Sequence, residues 1–144
     1  MQIKIRKGYI AVLGESWPLK LARFLSGHKN ATISTTPPFI FFLNTSLERP
    51  DTVNHEKIHF RQMYELLYIF AIILQQIEFW YARLILKKSS YDAYKFTSLE
   101  QEAYLNHNNP NYLKERKMFA VFKYVFNKKD FTYNKDTGEV IIEN

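Results

Sequence analysis

The chain has 144 residues, 47% of them hydrophobic, which suits one domain with a real core and excludes a disordered protein. It has no cysteine, so disulfides are excluded and any metal site must draw on His, Asp or Glu. The net charge is +6 with 12 Phe and 10 Tyr, but the basic residues are dispersed, with small clusters at Lys87-Lys88, Lys114 to Lys117 and Lys128-Lys129. That distribution reads as a solvated basic surface over an aromatic core, compatible with an anionic membrane surface, and makes nucleic acid an unlikely partner.

The opening stretch, MQIKIRKGYIAVLG, has no sustained apolar core with a small-residue cleavage site, so no signal peptide is expected. The expected location is cytoplasmic, with peripheral membrane contact as the variant. Residues 2–6 alternate and Tyr9 to Leu13 is apolar, which predicts a short strand pair. Trp17 to Leu25 reads as a short helix with Pro18 in its first turn. Ser26 to Thr36 reads as a polar loop, and Phe39 to Leu43 (FIFFL) as a strand. After a loop over Asn44 to Pro50, Asp51 or Thr52 is placed to cap a helix.

That helix is predicted to run to about Leu74 and then continue, or bend, into Gln76 to Lys88. Tyr64 to Leu86 is apolar enough to resemble a membrane span. Gln75, Gln76, Glu78 and Arg83 interrupt it, however, and Gln62, Glu65, Gln76 and Arg83 form a rough stripe in register with His55 and His59. The pattern predicts a mostly buried helix with one polar seam. Lys87 to Ser98 reads as polar and turn-like. Helices follow at about Leu99 to His107 and Tyr112 to Phe126, the first ended by Asn108-Asn109-Pro110. A hairpin closes the chain: Phe131 to Tyr133, a turn through Asn134 to Gly138, then Val140 to Ile142.

The chemistry concentrates at His55-Glu56-Lys57-Ile58-His59, an H-E-x-x-H. Positions i and i+4 share a helix face, so both imidazoles can reach one metal ion. Glu56 then lies where it can take a proton from a metal-bound water. A catalytic zinc usually has three protein ligands, so a third must come from elsewhere. The candidates are His107, His28 and a carboxylate in Ser98-Leu99-Glu100-Gln101-Glu102-Ala103-Tyr104. Glu100 and Glu102 lie about 200° apart on a helix, so one zinc cannot use both. Glu100 also completes a capping box with Thr97, whereas a box from Ser98 to Gln101 leaves it free.

H-E-x-x-H followed by a helix bearing Glu100-Gln101-Glu102-Ala103 resembles the gluzincin-type zinc metallopeptidases. HEKIHFRQ followed by LEQEAY is similar as well to small uncharacterised bacterial HExxH proteins. The resemblance covers about Phe39 to His107. It implies Glu100 as third ligand, with Glu102 as the alternative, and Ala103 as the small residue that lets the second helix approach the first. It also implies that Phe39 to Leu43 is the sheet edge along which a peptide lies. Lys57 and Arg61 are charged where the family usually has uncharged residues. Tyr104 stands where many gluzincins carry an Asp that buttresses a ligand His; counted from Glu102, the same position is Asn106.

The expectation is therefore a single α+β, mainly helical domain over residues 1–144. It has a zincin-like core, with a short sheet before the motif helix, a second metal-site helix and a C-terminal hairpin. One zinc per chain would sit on His55, His59 and Glu100, with Glu56 as general base, hydrolysing a peptide bond in a peptide or protein substrate. Tyr104, Tyr64 and Tyr112 are candidate oxyanion donors. The alternative is a non-catalytic zincin-like helical protein that binds a protein partner or a membrane surface.

Overall fold

The computed structural model describes residues 1–26 and 31–143, and the fold is α+β and mainly helical. Strands β1 (Gln2–Arg6) and β2 (Tyr9–Leu13) form an antiparallel pair, turned at Gly8, whose φ of +86° favours glycine. Helix α1 (Trp17–Ser26) follows, then β3 (Ile33–Thr36) and β4 (Phe39–Phe42). The sheet order is β1-β2-β4-β3, with β2 parallel to β4 and β3 antiparallel to it. Ala11, Leu13, Ile40 and Phe42 pack against Phe60 of the motif helix. Full burial of side chains such as Ile40 and Phe42 contributes about 1.5–3 kcal/mol each.

Two strand expectations change. Residues 33–36, expected in a polar loop, form β3; the β-branched Ile33, Thr35 and Thr36 carry the signal. The edges of the sheet are therefore β1 and β3, and β4, expected at the edge, lies between β2 and β3.

Helix α2 (Pro50–Glu65) carries the motif and starts two or three residues early, with Arg49 as N-cap and Pro50 in its first turn. Asp51 does not cap it, because its carboxylate accepts two bonds from the Arg49 guanidinium, at 2.7 and 3.2 Å. The helix does not continue to Leu74. Leu67 and Tyr68 adopt φ of 50° and 59°, and α3 (Ile69–Leu84) begins afresh. Nor is α3 mostly buried. Its polar seam forms but faces inward, and a broad apolar face stays exposed. Among the described residues, no helix is long and apolar enough to cross a membrane.

Residues 87–98, expected to be turn-like, contain α4 (Ser90–Phe96), capped by Ser89, whose hydroxyl accepts from the Asp92 N–H at 3.1 Å. Helix α5 (Ser98–Asn106) follows. The expected helix over 112–126 is broken into α6 (Tyr112–Glu115) and α7 (Phe122–Phe126). The break follows from Arg116, whose side chain turns inward to Glu102 and Glu65, while Glu65 also accepts from the Phe119 N–H at 3.0 Å. The C-terminal hairpin, β5 (Phe131–Tyr133) and β6 (Val140–Ile142), forms as the sequence predicts.

Candidate metal centre

Helices α2 and α5 pack together and bring the motif against Glu100. His55, Glu56 and His59 are buried on the inner face of α2, and Glu100 is 2% exposed. The Nε2 atoms of His55 and His59 lie 3.2 Å apart. Glu100 Oε2 is 3.3 Å from His55 Nε2, and Glu100 Oε1 is 3.2 Å from His59 Nε2. A tetrahedral ion with ligands at about 2.0–2.1 Å separates its donor atoms by about 3.3 Å, so the spacing fits. Glu100 Oε2 is buried and, among the described residues, its near polar neighbour is His55 Nε2 at 3.3 Å, with no well-aligned hydrogen bond, which leaves it open to a cation. The three residues form a group able to hold a metal ion.

The orientation of His59 is fixed from outside this group. Gln62 Nε2 donates to Leu99 O at 3.1 Å and to Glu102 Oε2 at 3.0 Å. Both partners are acceptors, so the amide must present Oε1 to His59 Nδ1, 2.7 Å away. Nδ1 then carries a proton, so when the ring is neutral its lone pair is on Nε2 and points into the cluster. Glu102 is held in turn by Arg116 and by the Tyr112 hydroxyl at 2.9 Å.

Glu102, the alternative third ligand, is thus committed to Arg116, Tyr112 and Gln62, on the side of α5 away from Glu100. Neither Tyr104 nor Asn106 buttresses a ligand through its side chain. The Tyr104 ring packs edge-on against His55 at 4.6 Å, and Asn106 donates to Glu102 O and to the Tyr124 hydroxyl. The expected polar stripe already placed Gln62 in register with both histidines, so the signal for the buttress was present. His107 donates from Nε2 to Gly138 O at 2.8 Å, which ties α5 to the hairpin. His28 lies outside the described residues.

No capping box encloses Glu100. Glu78, reaching across from α3, accepts from the Ser98 N–H at 2.7 Å and from the Ser98 hydroxyl, capping α5 in place of its own side chains. Gln101 bonds instead to Lys95 O, Lys129 O and Lys129 N. Lys57 turns away from the cluster, over the Tyr9 ring and toward Lys7 O, and Arg61 is exposed, so neither motif charge enters the site.

The electrostatics are those of a buried group sharing one charge pair. Burial lowers the His55 imidazole to about 4. Burial also opposes charge on His59, but Glu100 beside it outweighs this and raises it to about 9. The same pairing holds Glu100 well below the usual carboxylate range despite burial. Burial raises the Glu56 carboxyl to about 7.

Two cavities open on the cluster. One, of about 300 Å³, is lined by His55, Glu56, Tyr91, Tyr94 and Tyr104. The other, of about 430 Å³, is lined by Glu56, His59, Glu100, Tyr94 and the whole of β3. Both share Ala31, Ile33, Glu56 and Tyr94, so together they make a trough that passes Glu56 along the sheet edge. Burial and the nearby Glu100 carboxylate keep the Tyr94 phenol well above its usual range. Tyr91 and Tyr94 lie on α4, whose Ser89-x-x-Asp92 box marks it in the sequence. Of the expected oxyanion donors, Tyr64 is exposed, Tyr112 is bonded to Glu102, and Tyr104 alone borders the trough.

Comparison of the chain with protein-family models, curated proteins and solved structures gives no significant match. The geometry of the cluster itself defines a candidate metal centre.

Proposed function

We propose that this chain is a zinc-dependent peptidase of zincin-like architecture, with His55, His59 and Glu100 as ligands and Glu56 as general base. The observation that carries the reading is the convergence of two buried imidazole Nε2 atoms, 3.2 Å apart, on the two carboxylate oxygens of Glu100, at 3.3 and 3.2 Å, beside the Glu56 that lines the trough. Two imidazoles, one carboxylate and no thiolate suit zinc, and three protein ligands are the usual catalytic number. Zinc bound there supplies Lewis acidity toward water and a carbonyl oxygen.

The chain's own groups then do the following. Glu56 accepts the proton of the attacking water on a carboxylate oxygen and passes it to the departing amine. The free edge of β3 offers N–H and C=O groups to an extended peptide, and the trough beside it favours apolar side chains through Trp17, Leu21, Met63 and Ile72. The phenols of Tyr94 and Tyr104 border the same space as O–H donors.

Metal analysis of the purified chain tests the reading, with about one zinc per chain expected and lost on His55→Ala or His59→Ala. Glu56→Gln should keep the zinc and lower cleavage of a peptide library by roughly 10²-fold or more, since an amide cannot accept the proton. A chain that contains no metal and takes up none refutes the zinc site. Zinc at full occupancy with no cleavage by wild type leaves a zinc-binding scaffold and removes the peptidase.

A further inference from the structure

Helix α3 is inverted relative to a helix on a water-soluble surface. Its polar side chains point inward: Gln76 donates to Leu25 O, Glu78 takes Ser98 and Lys128, and Arg83 donates to Lys88 O. Its outward side is wholly apolar. At 100° per residue, Ile69, Ile73, Ile77, Trp80 and Leu84 fall in one line, and Phe70 and Tyr81 flank it. Every exposed residue of α3 is one of these, and together they span an arc of about 120°.

The strip does not stop at the helix ends. Leu67 precedes it, and Ile85 and Leu86 follow it, all exposed. These large apolar residues, about half exposed on average, leave on the order of 1,000 Å², against the few hundred usual for the largest patch on a monomer. Val121 shares a buried cluster with Ala71 of α3, and around it Met118, Phe119 and Phe122 are exposed, which widens the strip sideways.

The exposed charge around this surface is mostly basic, the exposed acids near it being Glu115 and Asp130, the latter paired with Lys88. Between residues 66 and 89 the single carboxylate, Glu78, is buried, Arg83 and Lys88 are half-buried, and Lys87 is exposed. Over 112–129, Lys114, Lys117, Lys123 and Lys129 are exposed against one exposed acid, Glu115. A second copy of the chain on this face would set these lysines against their own kind. An anionic bilayer supplies both an apolar boundary and negative charge, and Trp80 and Tyr81 are residue types that settle at that boundary.

We propose that α3, with the adjoining 118–122 segment, seats the protein in the plane of an anionic lipid surface. The inference is independent of the metal and of catalysis.

The test is co-sedimentation of the full chain with phosphatidylcholine vesicles and with vesicles containing about a third phosphatidylserine. Binding to the anionic vesicles should exceed binding to the neutral ones about tenfold or more and should weaken with salt. In a Trp17→Phe background, Trp80 emission should shift to the blue on binding and be quenched by brominated lipid. The pair Ile73→Glu with Ile77→Glu, both at exposed positions, should abolish binding with an unchanged circular dichroism spectrum; Lys87→Glu, Lys117→Glu and Lys123→Glu together should weaken it. Protein left in the supernatant at low salt overturns the proposal. So does equal binding to neutral vesicles, or a stable dimer in light scattering that the glutamate pair dissociates.

Discussion

Replacing Gln62 with leucine removes the one hydrogen bond that sets the His59 tautomer. Gln62 is fully buried, and its Oε1 lies 2.7 Å from His59 Nδ1. Without that acceptor, the imidazole can turn its protonated nitrogen toward the cluster, where a lone pair is needed. Loss of such an outer partner lowers metal affinity by about 10–100-fold, or about 1.4–2.7 kcal/mol. The fold should lose less than the burial suggests, because Glu102 keeps Arg116 and Tyr112. We expect about 1–3 kcal/mol, from the bonds given up at Leu99 O and Glu102. Gln62→Glu separates the two effects. It retains an acceptor for His59 but sets a second carboxylate beside Glu102, so zinc affinity should be better preserved and stability lowered further. Competition against a chromophoric zinc chelator measures the first quantity, and urea unfolding of the metal-free chain the second. Zinc affinity of a folded Gln62→Leu within twofold of wild type would refute the orienting role of Gln62.

Other outcomes follow from neighbouring contacts. Glu100→Gln should weaken zinc binding far more than Glu102→Gln, whose main effect should be about 1–3 kcal/mol of stability, because Arg116 still has Glu65; chelator competition and urea unfolding of both variants give the order. Glu78→Ala removes the cap of α5 and leaves Lys128 half-buried without its carboxylate, so unfolding should become easier by about 3 kcal/mol, measured by urea midpoint. Glu48 is held below the usual carboxylate range, chiefly by the Arg6 guanidinium and further by the Tyr9 hydroxyl. Its contribution is full above the unfolded carboxyl pKa of about 4.3 and is lost as pH falls through the lower folded value. The stability gap between wild type and Glu48→Gln should therefore close in acid, and a gap constant from about pH 6 to pH 3 would contradict this assignment.

The metal-site residues were legible because the chemistry is local. H-E-x-x-H fixes two donors within one helical turn, and the Glu100/Ala103 spacing, through the family resemblance, pointed to the third donor before any packing was known. That spacing favoured Glu100 over Glu102, but the physical reason was not legible, since Arg116 enters from another segment to claim Glu102. For the same reason the helix expected over 112–126 breaks: a buried guanidinium between two carboxylates outweighs a few further helical hydrogen bonds. Helix α4 was missed although Ser89-x-x-Asp92 announced it, because the segment is polar and short. A polar seam along α3 was expected, within a helix expected to be mostly buried, but periodicity reports only that two faces differ. It does not say that the apolar one faces outward.

The backbone at Leu67 and Tyr68 sets how much unbroken helix the chain offers a bilayer. Were residues 50–86 one rod, it would reach about 55 Å, and its apolar part from Leu66 to Leu86 would measure about 31 Å, the full depth of a hydrocarbon core. Two left-handed residues cut this to a separate α3 of about 24 Å, turned so that Glu78 can reach Ser98. The piece is too short to pass through the core and is tethered along its inner side to the helix that carries Glu100. A pair of torsion angles thereby makes a segment with the composition of a membrane span into one wall of the domain that carries the candidate metal centre.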